Sequence, residues 1–142
     1  MSVGLWIALV AVVVAVAFGA YRALTDGRFR GTRAVPTTWD QLADASDVQP
    51  GERATLVQFS SAFCAPCRAT RRILADVAAA TPGVTHLELD AEHHLEVVRR
   101  LGVLRTPTTL ILDASGNEIA RAAGAPRKEQ VLSALPAAVD LA

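Results

Sequence analysis

Residues 54–80 read ATLVQF-SSA-FCAPC-RATRRILADVAAA, and this stretch decides the fold. Ala54–Phe59 is a short, β-rich run bounded by small residues, as expected of a buried strand. Cys67–Ala80 has helical spacing, with Ile73, Leu74, Val77 and Ala78 on one face and Arg68, Arg71, Arg72 and Asp76 elsewhere. Pro82-Gly83 ends that helix. Both cysteines of the chain fall at the strand-to-helix junction, in Cys64-Ala65-Pro66-Cys67. This is where a dithiol–disulfide couple is chemically favoured. Two sulfurs one helical turn apart close a tight ring, and the unpaired N–H groups of a helix start favour a thiolate on the first. Pro66 lacks a donor where none is needed. Cys64 therefore reads as an exposed nucleophile and Cys67 as the deeper resolving thiol.

Two other readings of the pair are weaker. A zinc site needs two further ligands, and only His86, His93 and His94 could join the cysteines. His93 and His94 are adjacent on a predicted helix and cannot both face Cys64, so no metal is expected. Two inert core cysteines would not require proline and a preceding aromatic at a helix start.

Further along, the pattern predicts a strand over Val84–Leu89 and a helix over Asp90–Leu101 with Leu95, Val98 and Leu101 inward. Next come a strand over Thr108–Leu112, a hairpin turn at Ala114–Asn117 and a strand over Glu118–Ala122. A closing helix follows over Arg127–Leu135 with Val131, Leu132 and Leu135 inward. Before the decisive stretch, Thr38 can N-cap a short helix over Trp39–Ala45, with Asp40 in its first turn. Pro50-Gly51 makes a turn into the first strand. Helices alternating with these strands, then a hairpin, give an α/β domain: a mixed β-sheet flanked by helices, placed at residues 37–142.

This body resembles the thioredoxin family. The family's aromatic-Cys-x-Pro-Cys motif after a buried strand is matched by Phe63-Cys64-Ala65-Pro66-Cys67. Its cis-proline after threonine is matched by Thr106-Pro107, its glycine after the last hairpin by Gly124, and its aspartate ending the second strand by Asp90. The resemblance covers about residues 38–140 and implies a thioredoxin-like fold. It also implies thiol–disulfide oxidoreductase activity with no cofactor beyond the Cys64–Cys67 pair. A substrate peptide would then lie against Phe63, Pro66, Thr106 and Pro107, with Gly124 leaving it room. The chain departs from the family at four places. Gln58 replaces the buried aspartate that helps deprotonate the second cysteine, and His86 replaces the neighbouring lysine. Phe63 stands for tryptophan and Ala65 for glycine. These changes imply a specialised or slower relative. The proton of Cys67 must find another route: water, His86 or Glu88.

The N-terminus is of another kind. Val3–Ala20 is apolar throughout, and residues 1–21 hold none of the 28 Lys, Arg, Asp and Glu side chains. Eighteen such residues span roughly 27 Å as a helix, close to a bilayer's hydrocarbon thickness. Trp6 and Tyr21 suit the two interfaces. A cleaved signal peptide would carry its positive charge before the apolar run, whereas here the arginines follow it. A buried soluble helix would show a polar face. A retained transmembrane helix at residues 1–21 is therefore expected, in contact with lipid through residues 3–21. Residues 22–36, with Arg22, Arg28, Arg30 and Arg33 against Asp26, read as a basic, aperiodic juxtamembrane linker. Their charge places the body on the cytoplasmic side of the cell membrane.

The formal net charge of +0 thus cancels a +3 flank against a body of ten basic and thirteen acidic groups. That body offers no surplus of positive charge, so nucleic acid is not an expected partner. The expectation is a membrane-tethered thiol–disulfide oxidoreductase that reduces protein disulfides and is recharged by an electron-donating reductase. Alternatives are an extracytoplasmic isomerase, oxidase or cytochrome-maturation protein, or a non-catalytic redox-sensing or docking module.

Overall fold

The computed structural model describes residues 3–35 and 38–137; the ends of the expected span and domain at residues 1–2 and 138–142 lie outside them. The element order is α1 (Val3–Thr25), β1 (Arg30–Val35), α2 (Thr38–Ala43), β2 (Ala54–Ser60), α3 (Ala65–Ala80), β3 (Val84–Asp90), α4 (Leu95–Arg100), β4 (Thr108–Asp113), β5 (Glu118–Ala123) and α5 (Lys128–Ala134). The five strands form one mixed sheet in the order β1-β5-β4-β2-β3. Only β2 and β3 run parallel; β2–β4, β4–β5 and β1–β5 are antiparallel. The α/β architecture expected from the sequence is therefore present.

Helix α1 has 23 residues, about 34 Å of length, and none of them is buried. By length and composition it can cross a membrane, and among the described residues it is the one helix that can. It runs past the expected end of the span to Thr25. The segment read as an aperiodic linker is also partly ordered: Arg30–Val35 is β1, paired with β5 through Arg30↔Arg121 and Gly31↔Ala120. An edge strand is held by backbone hydrogen bonds on one side and shows no apolar alternation, so arginines hide it in the sequence. Phe29, just before it, packs partly against the core.

Strand β2 lies between β4 and β3 and is buried along its whole length, and the two-residue strand period divides its side chains between two cores. Val57 and Phe59 face the layer of α2 and α4, with Leu42, Leu87, Leu89, Val97 and Leu110. Ala54 and Leu56 face the layer of α3 and α5, with Leu74, Val77, Ile111 and Val131. Two inward assignments change. Leu95 is 53% exposed and Leu132 44% exposed, while Val97 is buried. The reason for the first is phase: α4 starts at Leu95, not Asp90, because Asp90–His94 form a turn in which the Asp90 carboxylate accepts the Glu92 N–H (2.8 Å). The α5 side buries only Val131 of the expected set, a helix of seven residues having one inward stripe.

Candidate functional site

The site forms where β2 gives way to α3. Cys64 is the N-cap of α3, its backbone extended, and Pro66 stands in the first turn. The Cys64 Sγ accepts the N–H of Cys67 at 3.2 Å, one of the donors a helix start leaves unpaired. Cys64 and Cys67 are joined in a disulfide with Cα atoms 5.2 Å apart. Cys64 is only 8% exposed and Cys67 2%, so the first cysteine is less open in the oxidised form than the sequence suggests. Opening the disulfide would leave the Cys64 sulfur at the positive end of a 16-residue helix, a setting that favours the thiolate over the thiol.

Two apolar side chains in the two loops that meet here are fully exposed. One is Phe63, directly before Cys64; the other is Leu104, in the loop before Pro107, which sequence reasoning did not single out. The Thr106–Pro107 peptide is cis. Its loop is tied to the cysteine loop by Ser61 Oγ and Thr106 Oγ1, 3.0 Å apart, and the Thr108 hydroxyl donates to the Arg105 carbonyl (2.7 Å). The structure thus joins the Cys64 and Thr106 segments, which are about forty residues apart in sequence.

Gly124 lies beside Pro107, donating its N–H to the proline carbonyl at 2.7 Å. Where the resemblance implies room for substrate, the structure sets the turn that follows α1. With φ +96, a Cβ there would meet the Asp26 carboxyl carbon at 2.9 Å and the Gly27 nitrogen at 3.0 Å. The end of α1 occupies that space. Gly27 donates to the Ala123 carbonyl (2.8 Å), and the Arg105 guanidinium binds both Asp26 and the same carbonyl.

Behind the disulfide runs a polar strip that the strand register explains. Residues opposite one another share a face, so Gln58 with Glu88, and His86 opposite Leu56, all look toward α3. Gln58, fully buried, donates from Nε2 to the Cys67 carbonyl (2.9 Å), and its Oε1 is 3.3 Å from His86 Nε2. Glu88 accepts from the Ser60 hydroxyl and from the Arg71 guanidinium, both at 2.7 Å. Burial opposes ionisation of Glu88, but the hydrogen bonds from Arg71 and Ser60 outweigh it and hold the carboxyl below its ordinary range. Burial pushes the His86 imidazole down as well, and Arg71 adds to this against the pull of Glu88. A cleft of ≈ 430 Å³ opens onto both sulfurs and is lined by Ser60, Arg68, Arg71 and Glu88 among others. The period-two polar positions 58, 60, 86 and 88 were the available signal for this strip. Among the described residues, no three His, Cys, Asp or Glu side chains are grouped to hold a metal.

The family model for thioredoxin matches residues 37–137. The chain belongs to the thioredoxin family. It is 30% identical over 91 residues to Thioredoxin H2-1 of Oryza sativa subsp. japonica, covering 64% of this chain and 64% of that one, just under two thirds of the rice protein's length. It is 35% identical over 77 residues to a thioredoxin of Chlamydia muridarum, covering 54% of this chain and 74% of that one. The fold is similar to that of a mutant thioredoxin from Halobacterium salinarum NRC-1, with TM-score 0.56 at 15% identity over 64% of this chain and 79% of that structure. The thioredoxin domain carries its cysteine pair in the form a thiol–disulfide oxidoreductase uses, needing no group beyond the two sulfurs.

Proposed function

We propose that the chain is a membrane-tethered protein-disulfide reductase whose thioredoxin domain works at the cytoplasmic face. The observation that carries the chemistry is the Cys64–Cys67 disulfide at the start of α3, with Cys64 Sγ already accepting a helix N–H. The reduced Cys64 thiolate attacks one sulfur of a substrate disulfide and expels the other as a thiolate, which takes a proton. Cys67 then gives up its proton, attacks the Cys64 sulfur and releases the second substrate thiol. Two electrons and two protons have passed to the substrate, and the Cys64–Cys67 bond has re-formed for reduction by a partner reductase. An extended substrate strand would lie between Phe63 and Pro66 on one side and Thr106-Pro107 on the other, where the exposed Phe63 ring and Leu104 methyls give it apolar contact. Gln58 cannot take the Cys67 proton, and Glu88 is held ionised by Arg71 and Ser60 as a weak base, so the cleft beside the sulfurs supplies the proton route through solvent. The unburied helix α1 supports the tether, and the four arginines after the apolar run support the orientation.

Trapping in cells tests the reading. A Cys67→Ala chain should accumulate mixed disulfides through Cys64 that dithiothreitol dissolves and that a Cys64→Ser/Cys67→Ala chain lacks. A folded, expressed Cys67→Ala chain with no such adducts refutes the catalytic role. Protease access to a tag after Ala142 reads the orientation, and cleavage from outside the intact membrane would refute the cytoplasmic placement.

A further inference from the structure

The arginines after the apolar run do more than mark one end of it. Arg22 from the last turn of α1, Arg28 and Arg30 from the approach to β1 and its first residue, Arg105 from the loop before the cis-proline and Arg121 from β5 line one cleft of ≈ 530 Å³. They come from four separate parts of the chain. Asp26 is the single carboxylate in the lining. It is held by Arg105 and lies 4.0 Å from Arg22. Arg121 is engaged by Glu118, and donates to the Leu101 carbonyl at 2.7 Å. Arg28 and Arg30 are exposed and, among the described residues, no acid pairs with them. With Arg105 engaged by Asp26 and Arg121 by Glu118, the other three guanidiniums still leave the cleft positive, and the like charges repel unless an anion joins them. Phosphate is the anion whose oxygens match guanidinium forks two at a time.

Position selects the source of that phosphate. The cleft begins at Arg22, the residue after Tyr21, where the apolar run ends. On the tethered reading of the chain, on which this inference rests, that is the depth of lipid headgroups. A polyanion approaching from solvent would instead meet a body with three more acids than bases. We propose that this cleft is a binding site for the phosphate of an anionic phospholipid headgroup. Arg105, which lines it and directly precedes Thr106-Pro107, then seats the substrate loop against the membrane surface.

Native mass spectrometry of the detergent-solubilised full chain tests this with phosphatidylglycerol, phosphatidylcholine and inorganic phosphate as probes. Phosphatidylglycerol should be retained in preference to phosphatidylcholine. An Arg28→Gln/Arg30→Gln chain should lose about 30-fold in its affinity, or about 2 kcal/mol at 1.4 kcal/mol per decade. An Arg99→Gln/Arg100→Gln chain, changed equally in charge on α4, should bind as the parent does, and disulfide reduction should be unchanged in both. Equal retention of the two lipids, or an equal loss in the α4 variant, overturns the site. Displacement of the lipid by inorganic phosphate at equal concentration overturns the lipid assignment in favour of a free anion. Alkaline carbonate extraction of cells reads the tether separately, since release of the chain refutes the membrane reading even where the micelle measurement upholds the cleft.

Discussion

Replacing Gly124 by alanine separates two roles for that residue. If its bareness serves an incoming substrate, a methyl there should raise KM and leave the unfolded–folded balance alone. The structure predicts the reverse. At φ +96 an alanine is strained, at a cost of about 1–2 kcal/mol for a non-glycine residue with left-handed backbone. The methyl also meets the Asp26 carboxyl and the Gly27 nitrogen at 2.9–3.0 Å, so the end of α1 must shift from the Ala123 carbonyl that Gly27 now reaches at 2.8 Å. Loss of that hydrogen bond adds about 1 kcal/mol. A total of about 2–3 kcal/mol lowers the Tm of a domain this size by about 10–20 °C. The assay is thermal unfolding of the detergent-solubilised chain, with insulin reduction measured well below the transition. Removing the carboxyl in the same chain, as Asp26→Ala/Gly124→Ala, should recover at least about 0.5 kcal/mol relative to the sum of the single changes, because the two groups contend for one space. An unchanged Tm with a raised KM would refute the reasoning and return Gly124 to the substrate side.

Two further outcomes follow from the polar strip. Gln58→Asp removes the donor to the Cys67 carbonyl and should cost about 1–3 kcal/mol in urea unfolding. The buried carboxyl should also add to the pH–rate profile of insulin reduction a titration that the parent lacks; superimposable profiles would refute a proton route set by residue 58. The stability of the chain should fall with pH in two steps. His86, whose folded value lies below its ordinary 6.5, binds its proton more readily when unfolded, so its contribution is whole above pH 6.5 and is lost as pH falls below that. Glu88, depressed from 4.5 by Arg71 and Ser60, keeps its contribution above pH 4.5 and loses it as pH falls further. Urea midpoints against pH should show the upper step vanish in His86→Gln and the lower one shrink in Glu88→Gln to the part that Asp90 contributes, its carboxyl being held below its ordinary value by the Glu92 N–H and His93; an upper step that survives, or a lower one of undiminished size, contradicts the assignment.

The α/β order and the redox centre were legible because each has a local cause. Hydrophobic periods mark β2 and α3, and the helix start explains why the cysteines and Pro66 stand together. What was hidden depends on contacts between distant segments. β1 is an edge strand whose pairing with β5 needs no apolar alternation, and its arginines make it read as linker. The inward place expected of Leu95 rests on a helix that begins at Asp90; the Asp90–Glu92 turn delays the helix, and Val97 packs in the core instead. For Gly124, whether substrate or the chain itself fills the space beside it depends on where α1 ends, which no local pattern marks. Leu104 carries no signal at all, being one apolar residue among several in Leu101–Leu104.

The loop bearing the cis-proline shows how these distant contacts position the site. Ser61 holds it from the cysteine side, Gly124 from β5, the Thr108 hydroxyl from within and Asp26 from the end of α1. Each neutral hydrogen bond contributes about 1 kcal/mol, so losing one would loosen the loop without unfolding it. The Asp26 contact differs in kind, since it links two exposed charged groups and weakens as salt rises. It reaches from the turn directly after the apolar helix to the residue that precedes Thr106-Pro107. The loop that borders the disulfide is therefore held by the domain itself, the Arg105 bond to the Ala123 carbonyl included, and through Asp26 by the turn that follows the apolar helix. Of these contacts, the two made by Arg105 belong to the arginine-lined cleft, and the Asp26 pair is the one between charged groups.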